Sequence, residues 1–154
     1  MALDMEKYRR IFLEESIDHL GEVGRALLDL EKEMANVEAI DTIFRMAHSM
    51  KSMAASLGYE PVADMAHRLE DRMEGVRAAG CVRDHEELAL LFRGLEALEA
   101  MVAEVNADAD PTPAEPSLIV ELSSPHIPVT KNDTLAKEPS VPDRVGGEPK
   151  KVWS

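Results

Sequence analysis

Through the first 106 positions apolar residues recur in steps of three and four, the spacing of one face of an α-helix, and the register breaks only at three short turns. Met5, Tyr8, Phe12, Ser16, Leu20, Val23, Leu27, Leu30 and Met34 form a first stripe. Asn36 offers a cap for a second helix, whose stripe is Ile40, Ile43, Phe44, Ala47, Met50, Ala54 and Leu57, and Gly58 supplies the left-handed residue that commonly closes one. Pro61 suits the first turn of a third helix, in which Val62, Met65, Ala66, Leu69, Met73 and Val76 face inward until Gly80 stops it. Asp84 with Glu87 three residues on fits an acidic capping box, and Leu88, Leu91, Leu95, Leu98, Val102 and Val105 continue the pattern. Four helices with one apolar face each, joined by short turns, bury those faces most economically around a common axis. The expected fold is all-α, an up-down-up-down four-helix bundle over residues 4–106.

Proline sets the far boundary. Only Pro61 of the nine prolines precedes residue 107, and the other eight leave no room for a helix of ordinary length in residues 107–154. That segment reads as a disordered, Pro-rich C-terminal tail or flexible linker. Its one apolar run, Leu118-Ile119-Val120-Glu121-Leu122, has the length of a short strand or a docking segment, and the only tryptophan is Trp153. The chain of 154 residues carries a formal net charge of -13, most of it in the first 106 residues, so a phosphate backbone is repelled and nucleic acid is not the expected partner. A single cysteine forms no intramolecular disulfide, the first residues are charged rather than signal-like, and no run approaches 18 apolar residues. These features predict a cytoplasmic protein without a membrane partner.

A bundle alone implies no activity. The informative stretch is Ala47-His48-Ser49-Met50-Lys51-Ser52-Met53-Ala54-Ala55. His48 follows a core position by one residue, about 100° round the helix, so its ring belongs at the rim of the packed face and reaches water. Lys51 lies one turn on. Ser52, Ala55 and Ser56 are small, leaving low relief for another protein to reach the imidazole. On the third helix Ala63, His67, Glu70 and Glu74 form a flanking row that faces His48 if the two helices are antiparallel. A carboxylate accepting from one ring nitrogen fixes the tautomer and leaves the other as a nucleophile, and Glu70 is the candidate. Lys51 is placed to neutralise a phosphoryl group once attached.

His48-Ser49-Met50-Lys51-Ser52, then Leu57-Gly58-Tyr59 and His67-Arg68-Leu69-Glu70-Asp71, resemble the N-terminal histidine phosphotransfer (HPt) domain of CheA-type chemotaxis histidine kinases. Phe12-Leu13-Glu14-Glu15-Ser16 and Ile43-Phe44-Arg45-Met46-Ala47 are similar to that family as well, and the likeness covers roughly residues 4–105. The resemblance implies that His48 is phosphorylated, that Glu70 orients it, and that Lys51 and His67 join the surrounding network. It implies two partners, a separate ATP-binding histidine-kinase domain acting from the other subunit of a dimer and response-regulator receiver domains that take the phosphoryl group. No glycine-rich nucleotide motif occurs in the chain, so it is expected to hold no cofactor, with ATP and Mg2+ used by the kinase domain. The family usually has glycine after the lysine. Ser52 stands there instead, and its hydroxymethyl group narrows the approach to the imidazole.

Other classes were open. A lone helical histidine beside an apolar stripe is ordinarily structural, and the motif alone sets His48 apart. His19, His85 and His126 have no such setting, and Cys81 follows a helix-ending glycine without a partner. Asp64, His67, Glu70 and His48 invite a metal reading, but di-iron bundles need an inward Glu-x-x-His from each of two helices and two more glutamates. A non-catalytic helical adaptor and a free-standing phosphocarrier are the remaining alternatives, beside a fragment of a larger kinase.

Overall fold

The computed structural model describes residues 2–124, in which five α-helices and no strand occur: α1 (Ala2–Lys32), α2 (Val37–Leu57), α3 (Glu60–Ala79), α4 (His85–Asn106) and α5 (Pro116–Ser123). The first four pack as a closed antiparallel bundle in which α1 touches α2 and α4, and α3 touches α2 and α4. Phe12, Leu27, Leu30, Ile40, Ile43, Met50, Met65, Leu69, Met73, Leu91 and Leu98 fill its centre. Each long helix contributes to this core because its apolar residues share a face. Arg9 ties the two ends of the circuit, donating from Nη1 to the Val105 carbonyl at 3.1 Å.

The turns use the chemistry expected of them. Asn36 Oδ1 accepts from the Ala39 amide at 3.0 Å, satisfying a donor that the first turn of α2 leaves free. Gly58 has φ 80°, and the following Tyr59 amide returns to the Ala54 carbonyl at 2.9 Å. This Schellman-type reversal keeps the connection to α3 short, which places α2 and α3 side by side along their length. Gly80 closes α3 with φ 86°.

Two findings depart from expectation. Met5 and Tyr8, the start of the first stripe, are about half exposed, at 49% and 50%. The 31 residues of α1 extend about 46 Å against about 32 Å for the 21 residues of α2, so its first turn outruns its neighbours, and Tyr8 lines an open groove beside Met53 and Leu57 of α2. Residues 107–124 also differ from the linker expected there. Pro116 sits in the first turn of α5, where a missing N–H costs nothing, and eight residues fit before Pro125. Leu118 and Leu122, one turn apart, are buried against α3 and α4, so the apolar run is a docking segment in helical form. The rest of the expected tail, including His126 and Trp153, lies outside the described residues.

Candidate functional site

His48 lies near the middle of α2, directly after the buried Ala47, and its side chain is 58% exposed. Across the α2–α3 interface stands Glu70, whose side chain is only 10% exposed. The short Gly58 turn makes the meeting possible by laying the two helices antiparallel. His48 Nδ1 is 2.6 Å from Glu70 Oε2, and Lys51 Nζ is 2.6 Å from Oε1 of the same carboxylate. One acid therefore serves both cationic or donor groups, one on each oxygen.

Burial pushes the Glu70 carboxyl up, but hydrogen bonds from Lys51 and His48, with their charges, outweigh it and hold the group below the usual carboxylate range. Glu70 is thus an anion at neutral pH. An ionised carboxylate only accepts, so Nδ1 must carry the proton and donate it, and in the neutral ring Nε2 keeps its lone pair. A carboxylate whose pKa is lower folded than unfolded contributes stability that is complete above the unfolded value and fades as pH falls through the folded one. Hence the stability difference between the wild type and Glu70→Gln is expected to be full above about pH 5 and to shrink on acidification, read by urea unfolding across a pH series. A difference independent of pH would contradict the pairing.

Ser52, Ala55 and Ser56 are exposed on the same helix, and Ser56 Oγ donates to the Ser52 carbonyl at 3.0 Å. Beyond Ser56 the face runs into an apolar groove lined by Tyr8, Ile11, Phe12, Met53 and Leu57. His67 is not brought into the His48–Glu70–Lys51 cluster. It is exposed, and its Nε2 lies 3.5 Å from Asp71 Oδ2 on its own helix. His19 is half-buried beside Glu15, His85 is exposed at the start of α4, and Cys81 is a free thiol in a turn. Among the described residues no group of three or more His, Cys, Asp or Glu side chains is arranged to hold a metal ion.

Sequence reasoning missed a second polar centre. Arg72 Nε donates to Glu87 Oε2 at 2.8 Å with the two side chains 2% and 0% exposed. Glu87 also belongs to the cap of α4: Asp84 Oδ1 accepts from the Glu87 amide at 2.8 Å, and Glu87 Oε1 accepts from the Arg83 amide at 2.7 Å. The signal was present in the register, since Leu69, Arg72 and Val76 are spaced three and four apart and so share a helix face.

Comparison with known proteins places the bundle in a family. The Hpt domain profile matches residues 7–108. The chemotaxis protein CheA of Halobacterium salinarum is 33% identical over 106 residues, covering 69% of this chain and 16% of that protein. CheA of Bacillus subtilis is 35% identical over 103 residues, covering 67% and 15%, and CheA of Klebsiella aerogenes 30% over 107 residues, covering 70% and 16%. The chain spans about a sixth of the length of these curated relatives. Its matched segment is the four-helix bundle that carries His48, Lys51 and Glu70, and the chain belongs to the Hpt domain family.

Proposed function

We propose that this chain is the phosphotransfer domain of a chemotaxis-type phosphorelay, with His48 as the residue that carries the phosphoryl group. The observation that carries the reading is an exposed imidazole whose Nδ1 is bonded to a buried carboxylate at 2.6 Å. Nε2 attacks the γ-phosphorus of ATP held with Mg2+ on a separate histidine-kinase domain. The N–P bond forms as the bond to the bridging oxygen breaks, and ADP leaves. The proton on Nδ1 stays there, and Glu70 stabilises the positive charge the ring acquires. Lys51 sits against the same acid and supplies the positive charge that neutralises the attached phosphate. An aspartate of a response-regulator receiver domain then attacks phosphorus, the N–P bond breaks, and the neutral imidazole returns.

Both partners approach the same side, because the small residues Ser52, Ala55 and Ser56 leave the ring uncovered and the apolar groove beyond Ser56 adds contact area. Ser52 narrows that approach relative to glycine, so it affects docking and transfer to the receiver more than the attachment step. His67 belongs to the outer charge of this face through Asp71 rather than to the reacting group.

The test is a two-step transfer. With a chemotaxis-type kinase domain, Mg2+ and γ-labelled ATP, the chain is expected to acquire an acid-labile, base-stable label, and a receiver domain added afterwards is expected to remove it. A chain that stays unlabelled while the kinase labels a known substrate would refute the proposal.

A further inference from the structure

Helix α5 and the reactive histidine lie on opposite sides of α3. Glu70 and Arg72 are two residues apart on that helix, about 200° round its axis, so one faces α2 and the other faces α4 and α5. Arg72 is buried, and its Nε and Nη1 both donate. Besides the bond from Nε to Glu87 of α4, Nη1 donates to the carbonyls of Glu121 at 3.1 Å and Ser124 at 2.6 Å, at the C-terminal end of α5. The Glu121 carbonyl also accepts from the Ser124 amide at 3.3 Å and Ser124 is the capping residue, so the guanidinium closes the end of α5 from the side. Arg93 reinforces the grip through the Glu121 carboxylate at 2.6 Å, and Arg68 through the Ser123 hydroxyl. The residue on the other flank of Glu70 is held as well. Leu69 and Leu122 both flank Gly94 of α4, where an added Cβ would lie 3.7 Å from each.

Glu70 is thus bracketed in sequence by Leu69 and Arg72, and α5 touches the surroundings of both. A packed helix transmits displacement along and across itself because its interior neighbours leave no slack. A carboxylate 2.6 Å from a ring nitrogen is sensitive to small shifts of its backbone. We propose that Arg72 is a positioning residue for Glu70, and that docking of α5 through Arg72 and Leu122 fixes the turn of α3 from which Glu70 holds the His48 tautomer. The kinetic part of this inference rests on His48 being the phosphoryl carrier; the tautomer part does not.

The experiment uses the full chain and two variants. Arg72→Lys keeps a charge opposite Glu87 but loses the planar fork that reaches two carbonyls as well. Leu118→Ala with Leu122→Ala weakens α5 from the apolar side and leaves Arg72 untouched. Nitrogen-15 shifts of the His48 ring read the tautomer without any kinase, and amide exchange reads whether α5 is docked. In the wild type the Nδ1-protonated form is expected to dominate. In both variants α5 amides should lose protection, the ring shifts should move toward those of free histidine, and labelling by the kinase domain should slow about tenfold. If Arg72→Lys does not fold, the double variant decides alone. Unchanged ring shifts with α5 undocked would overturn the proposal, as would α5 remaining protected in a folded Arg72→Lys. An unlabelled wild type showing the predicted ring shifts would refute the phosphotransfer reading while leaving the positioning role standing.

Discussion

His48→Gln is expected to abolish phosphoryl incorporation, a fall of about a thousandfold or more to background, while leaving the bundle intact. Glutamine is a good helix former of similar reach, and its amide N–H can still donate to the Glu70 carboxylate. Its nitrogen lone pair is delocalised into the carbonyl, so the nucleophile is lost and little else. The site is exposed, at 58% for the side chain, and the stability change should therefore stay within about 0.5 kcal/mol. Labelled ATP, a chemotaxis-type kinase domain and urea unfolding measure both quantities on the same preparations. Label that survives the substitution would move the chemistry to another side chain. A bundle acting only as an adaptor would keep its partner and its function, so the variant also separates a carrier from a tether.

The largest expected loss of stability belongs to the other polar centre. Glu87→Ala is expected to cost about 3–5 kcal/mol and to lower the melting temperature by roughly 10–25 °C. The carboxylate is fully buried, and its removal leaves the Arg72 guanidinium charged inside the protein without its anion. The Arg83 amide also loses its acceptor at the mouth of α4. Differential scanning calorimetry tests this directly. A drop of only a degree or two would mean that water or another acid reaches Arg72, and that the pair adds little to the fold.

The contrast between these two sites shows what a sequence can carry. The rim position of His48 follows from one step of 100° beyond Ala47, and Glu70 follows from the register of α3 once a short turn is granted at Gly58. Periodicity and turn chemistry are local, and they suffice for a face and its edge. Arg72 with Glu87 is different, because a charged residue on an apolar face reads as a solvated flank until a partner from another helix is known. His67 shows the limit of register alone: it shares the flanking row with Glu70, and its ring lies 3.5 Å from Asp71 on its own helix. Helix α5 was hidden by its prolines, which exclude a long helix but not one of eight residues beginning at Pro116. The exposure of Met5 and Tyr8 depends on how far α2 and α4 extend beside α1, a relation between elements that no single stripe contains.

The unmatched end of α1 also bears on how the molecule comes apart. Ahead of Arg9, whose guanidinium reaches the Val105 carbonyl of α4, the half-exposed Met5 and Tyr8 give the start of α1 little shared interior. That stretch can fray and re-form while the four-helix assembly stays whole, so a label or fusion placed there would report on its own mobility and not on the cooperative unfolding of the remainder.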